Sequence, residues 1–304
     1  MITSLKLNHG RAKYLFMRNK NITIDVTEFY PDKVSLSFLD CTFLGEAKSQ
    51  FQHIEIYNHI HMGKLLLIDK MIMFSEKDYK NNREMMVNIS LHCREMFDNM
   101  LVIGGGDGSS PGEAIKYQYL KSIDVIDIDK EVSVLCGKHF DFNKDAFCDK
   151  RVQYFFEEGS EFINKIKGKK EYGAIIVSPT DPDSLSLPLF QKNFFQNCYD
   201  ILDSDGIFCI GGFTPYYNLG KINPKNVFKD LNNVFEIVKI FITSLPTYPG
   251  GLCSYLIASK KQDPSKVIHK PLKCSDYEKM EYYNFDIHSA SFAIPNNVKR
   301  IFKL

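Results

Sequence analysis

Asp107 stands inside the run LVIGGGDG, and Asp127 closes the run IDVID twenty residues further on. A carboxylate in the second position can accept two vicinal hydroxyls at once, which suits the ribose of a nucleoside. Gly104, Gly105 and Gly106 let the main chain turn sharply and let a ligand approach it closely. The phosphate-binding spacing GxGxxG is incomplete, because Gly104, Gly106 and Ser109 occupy its three places. An acid at Asp107 would also repel a pyrophosphate, whereas it would attract a cationic amine or a sulfonium. The spacing therefore fits dinucleotides and S-adenosyl compounds, and the acid favours the second. The plainer alternative is that Asp107 is a turn residue that caps the following helix.

These residues need a strand ahead of the glycines and a helix behind them, and the chain supplies both patterns. LVIG, IDVIDID, VQYFF, GAIIVS and GIFCIGG are apolar runs of strand length. Between them lie amphipathic segments such as EAIKYQYLK, EVSVLCGKHF and EFINKIKG. Alternation of this kind predicts an α/β fold, a parallel sheet with helices on both faces. Ahead of it, VSLSFLD, HIEIYN and KLLLID read as short strands. The C-terminal part returns to strands in IVKIFITSL and SYLIASK and then to a short helix. The expected organisation is an N-terminal β-strand domain over 1–75 and a nucleoside-binding catalytic domain over 76–304.

Composition narrows the partners. The formal net charge of +1, with no Lys/Arg block and no tryptophan, argues against nucleic acid. No apolar run approaches the ~18 residues of a membrane span, so no membrane partner is expected. The N-terminus has no uninterrupted apolar core with a small-residue cleavage site and reads as lacking a signal peptide. The eight cysteines include no CxxC pair and several lie in apolar runs, which fits unbonded thiols in a cytoplasmic protein. No Cys/His cluster suggests zinc, and no metal is expected.

Six ordered segments, spread from about residue 50 to 300, together resemble the spermidine synthases, or polyamine aminopropyltransferases. They are LLLIDKMIMFSEKD, LVIGGGDG, VIDIDKEV, TDPDSLSLPLF, LPTYPGG and YYNFDIHSASFAIP. The resemblance implies a Rossmann-like, methyltransferase-type sheet with a small N-terminal β domain. It implies transfer of an aminopropyl group from decarboxylated S-adenosylmethionine to a small-molecule amine, without metal. It implies Gln52, Asp127 and, with a carboxylate kept where the family has aspartate, Glu158 as nucleoside contacts beside the glycines. It implies Asp107 as partner of the donor's amino group, and Asp181 and Tyr248 on the acceptor side. It also implies a homodimer, and the sequence adds that SLSFLD and FAIP carry apolar residues in excess of what a small β domain buries.

Five positions depart from the family pattern. Ser178 stands where the family has the aspartate that helps deprotonate the acceptor, and Asn82 and Arg83, expected in a loop that faces the site, replace a tyrosine and a glutamine. Glu158 for aspartate is mild, and Met73 replaces a polar residue. A positioned base contributes ~10²–10⁴-fold in such a proton transfer, and neither Ser178 nor Asn82 supplies one. Losing one carboxylate and gaining Arg83 moves the pocket two charge units toward positive, and an arginine fork is built for carboxylates. The candidate catalytic set is Asp107, Ser178, Asp181 and Tyr248, with Asn82 and Arg83 at the substrate. Three readings compete: aminopropyl transfer; transfer of an aminocarboxypropyl or methyl group from S-adenosylmethionine itself, which the charge change favours; and a nucleoside-binding pseudoenzyme that regulates a partner. An NAD-linked dehydrogenase is disfavoured by the acid in the loop and the missing third glycine.

Overall fold

The computed structural model describes residues 15–18, 21–30, 33–178, 185–217, 222–270 and 274–304. Two sheets organise it. The first is antiparallel, in the order β1-β2-β3-β4-β5-β6. Its strands are β1 (Leu15–Arg18), β2 (Asn21–Phe29), β3 (Ser35–Lys48), β4 (His53–His59), β5 (Gly63–Ile68) and β6 (Met71–Ser75). Strand periodicity turns alternate residues to opposite faces. Ile54, Ile56, Leu66 and Ile68 pack toward the second sheet's helices, and Tyr57, Leu65 and Leu67 pack against Val26 and Phe38. The β5–β6 hairpin turns on Asp69 and Lys70, both at positive φ, as a two-residue hairpin loop of primed type requires.

The second sheet has the order β12-β13-β11-β10-β7-β8-β9. Its strands are β7 (Asn99–Ile103), β8 (Ser122–Asp127), β9 (Val152–Phe156), β10 (Tyr172–Val177), β11 (Leu202–Phe213), β12 (Ile237–Ser244) and β13 (Leu252–Ser259). The five strands β7 to β11 pair in parallel. Strands β12 and β13 join antiparallel, so the expectation of a parallel sheet holds for those five strands, and a hairpin forms the edge beyond β11. The helices are α1 (Tyr79–His92), α2 (Ser109–Ala114), α3 (Lys130–His139), α4 (Lys144–Cys148), α5 (Gly159–Ile166), α6 (Lys192–Ile201), α7 (Pro224–Asn232), α8 (Cys274–Tyr277), α9 (Phe285–Ala290) and α10 (Asn296–Phe302). One apolar cluster lies on each face of this sheet, built around Phe195 and Phe208 on one side and Met85 and Tyr117 on the other.

EAIKYQYLK does not form the helix its periodicity predicts. Helix α2 stops at Ala114. Arg151 donates to the carbonyls of Ile115, Tyr117 and Leu120 at 2.6, 3.0 and 3.3 Å. Those carbonyls therefore have partners outside a helix, and Tyr117 and Leu120 turn into the core. The seven cysteines with described side chains are unbonded. Among the described residues no helix is long and apolar enough to cross a membrane.

Candidate functional site

Strands β7 and β10 are neighbours, yet the chain leaves β7 toward β8 on one side and reaches β10 and β11 on the other. Crevices open at the carboxyl ends of strands where the order reverses in this way. An open cleft of about 1140 Å³ lies here. Gln52, Asn82, Arg83, Gly104, Asp107, Asp127, Glu158, Ser178 and Tyr248 line it, with Met73 beside them. Gly105 and Gly106, expected at the nucleoside, are not among the lining residues. A side chain on Gly105 would meet Val102 at 2.7 Å, and one on Gly106 would meet Asp127 at 2.5 Å. Asp181 lies outside the described residues.

Asp127 ends β8 and is oriented by two amides. Gly106 N–H donates to Oδ2 at 2.8 Å, and Asp129 N–H donates to Oδ1 at 3.0 Å. Burial pushes its carboxyl up to about 6, partly countered by these two bonds. Glu158 caps α5, accepting from Glu161 N–H at 2.8 Å. Gln52 sits in the β3–β4 connection, which Ser49 fastens to the start of α3 by donating to Asp129 Oδ2 at 2.7 Å.

Asp107 combines the two roles weighed for it. It is a turn residue, with Oδ1 taking the N–H and hydroxyl of Ser109 at 2.7 and 2.5 Å. It is also a cleft carboxylate, but its other oxygen is occupied. Arg83 Nη2 donates to Oδ2 at 3.0 Å, Nε donates to Ser109 Oγ at 2.7 Å, and Nη1 donates to Ser178 Oγ. Arg83 and Asp107 are each only 7 % exposed. The expectation of Arg83 in a facing loop is corrected: it projects from helix α1 and forms a buried ion pair. Sequence could not reveal this pair, whose members are 24 residues apart on separate elements.

Two carboxylates that are not among the site residues expected from the sequence hold the frame. Asp78, just ahead of α1, accepts from the N–H of Thr247 at 2.7 Å and from its hydroxyl, which anchors the loop that carries Tyr248. Tyr248 in turn makes a long 3.4 Å contact to the carbonyl of Met73. Glu84, one residue after Arg83, accepts the N–H groups of Glu281, Tyr282 and Tyr283 at 3.1, 2.8 and 2.9 Å. Away from the cleft, Glu46, His53 and Glu55 have possible ligand atoms within 4.8 Å of one another. The close pair among them, His53 Nε2 to Glu46 Oε2 at 2.6 Å, has the distance of a hydrogen bond.

Comparison with known proteins bears on this arrangement. Residues 79–268 match the spermine/spermidine synthase domain, and residues 28–76 match the spermidine synthase tetramerisation domain. A polyamine aminopropyltransferase of Clostridioides difficile is 35% identical over 279 residues, covering 90% of this chain and 97% of its own. One from Clostridium perfringens is 34% identical over 276 residues, covering 90% and 96%. A spermidine synthase crystallised with the transition-state analogue AdoDATO superposes with a TM-score of 0.83 at 29% identity, covering 94% of this chain and 96% of that one. The spermidine synthase of Thermotoga maritima gives 0.80 at 29%, covering 92% and 94%. The chain belongs to the spermidine synthase family of transferases.

Proposed function

We propose that the chain transfers an alkyl group from an S-adenosylmethionine-type sulfonium to a small-molecule amine, with aminopropyl transfer as the family's form of that reaction. The observation that carries this reading is that Asp107 and Asp127 face one cleft at the carboxyl ends of β7 and β8. In it, Asp127 takes the ribose hydroxyls, with Gln52 and Glu158 on the nucleoside. The acceptor nitrogen's lone pair forms the new C–N bond while the C–S bond breaks and its electrons pass to sulfur, leaving a thioether. The acceptor must first lose a proton. Ser178 and Asn82 cannot take it, so Asp181 is the remaining carboxylate that the family pattern puts on the acceptor side, with Tyr248 beside it. Domains over 1–75 and 76–304, in a cytoplasmic protein, fit this reading.

The donor is S-adenosylmethionine in preference to its decarboxylated form. The Asp107–Arg83 pair offers an acid to the ammonium of an α-amino acid tail and a guanidinium to its carboxylate. A decarboxylated tail brings only a second cation. One unit charge at ~4 Å is worth ~4 kcal/mol at an effective dielectric near 20. The expected result of paired titrations is that S-adenosylmethionine binds at least as tightly as the decarboxylated donor. Arg83→Gln with Ser178→Asp swings the preference toward the decarboxylated donor. The second reading, an ordinary spermidine synthase, is favoured by the named activity of the relatives. A product assay decides: strong parent preference for the decarboxylated donor, with spermidine formed from putrescine, establishes it.

The chain also assembles as a homodimer or a larger oligomer. The match of residues 28–76 to a tetramerisation domain supports this, as do Leu39 and Phe43, 58% and 42% exposed on β3. Light scattering at micromolar concentration is expected to give at least twice the mass of one chain, and the mass of a single chain would reject the assembly.

A further inference from the structure

We propose that Arg83 is a built-in occupant of the tail end of the cleft, so that the resting protein is a receptor for adenosine thioethers, nucleosides whose 5′ tail carries no charge. This rests on the reading of the cleft as a nucleoside site, and it deepens that reading by naming the form of nucleoside that fits.

The guanidinium is held at three points, by Ser109, Ser178 and Asp107. Its helix is anchored as well, because Glu84 grips the backbone of 281–283 and Asp78 grips Thr247. Asp107 has little left to offer. One oxygen takes two donors from Ser109 and the other takes Arg83. A cationic tail aimed at Asp107 therefore meets a guanidinium already in place. To reach the acid it must displace Arg83 and leave a buried arginine without its anion, which is among the least favourable arrangements a protein interior can hold. A sulfonium sulfur beside the cleft's arginine adds a further repulsion.

A thioether asks for none of this. It brings no charge, needs nothing from Asp107, and leaves the ion pair intact while Asp127 holds the ribose. A zwitterionic tail exchanges partners with the pair and ranks between the thioether and the purely cationic tail. Alkyl transfer converts a sulfonium into a thioether, so the resting site complements the spent nucleoside better than the donor. Turnover is then restrained by retention of that product.

The test is calorimetry with methylthioadenosine and decarboxylated S-adenosylmethionine on the parent, on Arg83→Gln, and on Arg83→Gln with Asp107→Asn. The parent is expected to bind the thioether at least tenfold more tightly than the sulfonium. In Arg83→Gln the exposed acid attracts the cation and the order reverses. The double variant leaves no unpaired charge, remains available if the single one does not fold, and is expected to bind the two within about threefold. Equal affinities or a sulfonium preference in the parent overturns the inference. So does a parent ratio that persists in either variant, and both of these results leave the nucleoside site standing. A folded parent that binds neither nucleoside overturns the nucleoside reading, and this inference with it.

Discussion

Asp127→Ala abolishes methylthioadenosine binding at concentrations that saturate the parent protein. The carboxylate is oriented by the amides of Gly106 and Asp129, so in the proposed placement it would meet the two ribose hydroxyls without reorganising. Hydrogen bonds to a charged acceptor contribute ~1.5–3 kcal/mol each, and losing two weakens binding by roughly a hundredfold to ten-thousandfold. The ionised form is the one that accepts both hydroxyls. Burial pushes this carboxyl up to about 6 in the unliganded protein. Affinity is therefore full well above pH 6 and falls as the pH drops through 6 and the group protonates. Asp127→Asn removes this part of the pH dependence. Calorimetry at pH 7.5 and 5.5 checks both results, and an unchanged affinity in Asp127→Ala overturns the placement of the nucleoside.

Glu84→Ala lowers the stability of the fold by about 3 kcal/mol or more. Glu84 is 1 % exposed and satisfies three consecutive backbone N–H groups. Truncating it strands three backbone donors of residues 281–283, one buried and two part-buried, and an unmade bond costs up to ~1–3 kcal/mol where it is buried. The segment they belong to leads into α9, whose packing against β12 includes the 3.0 Å bond from Ile242 N–H to Ser291 O. Thermal unfolding is expected to shift down by roughly 6 °C or more. Glu84→Gln keeps one carbonyl acceptor and loses less. A fall below about 1 kcal/mol for the alanine variant would show that residues 281–283 find other partners, and that Glu84 does not fasten α1 to the C-terminal segment.

Local pattern carries a great deal in this chain. An apolar run followed by Gly104, Gly105, Gly106 and Asp107 specifies strand, turn and acid within eight residues, because backbone freedom and side-chain period are properties of neighbours. Alternating runs from residue 100 onward are enough for a doubly wound sheet. Asp127 is legible because its strand and the glycine loop lie in one unit of short range. Periodicity misleads where a distant side chain intervenes. EAIKYQYLK has helical spacing, yet Arg151, at least 31 residues away, takes its carbonyls and allows the chain to turn inward at Tyr117.

Residue types at the cleft were readable from the chain; their pairing was not. The sequence alone determines the residue types at positions 83, 107 and 178, and so the sign of each charge. Only the tertiary structure decides that Arg83 reaches across from α1 to Asp107, or that Glu84, beside it, meets a different neighbour and holds residues 197 to 199 positions distant. The reason is geometric. A helix sends consecutive side chains about 100° apart, so which neighbour each one meets depends on how α1 packs against α2, the strands β10 to β12 and the C-terminal segment. A charge in a sequence has a sign but no partner until packing brings one within about 3 Å and removes the water that would otherwise screen it.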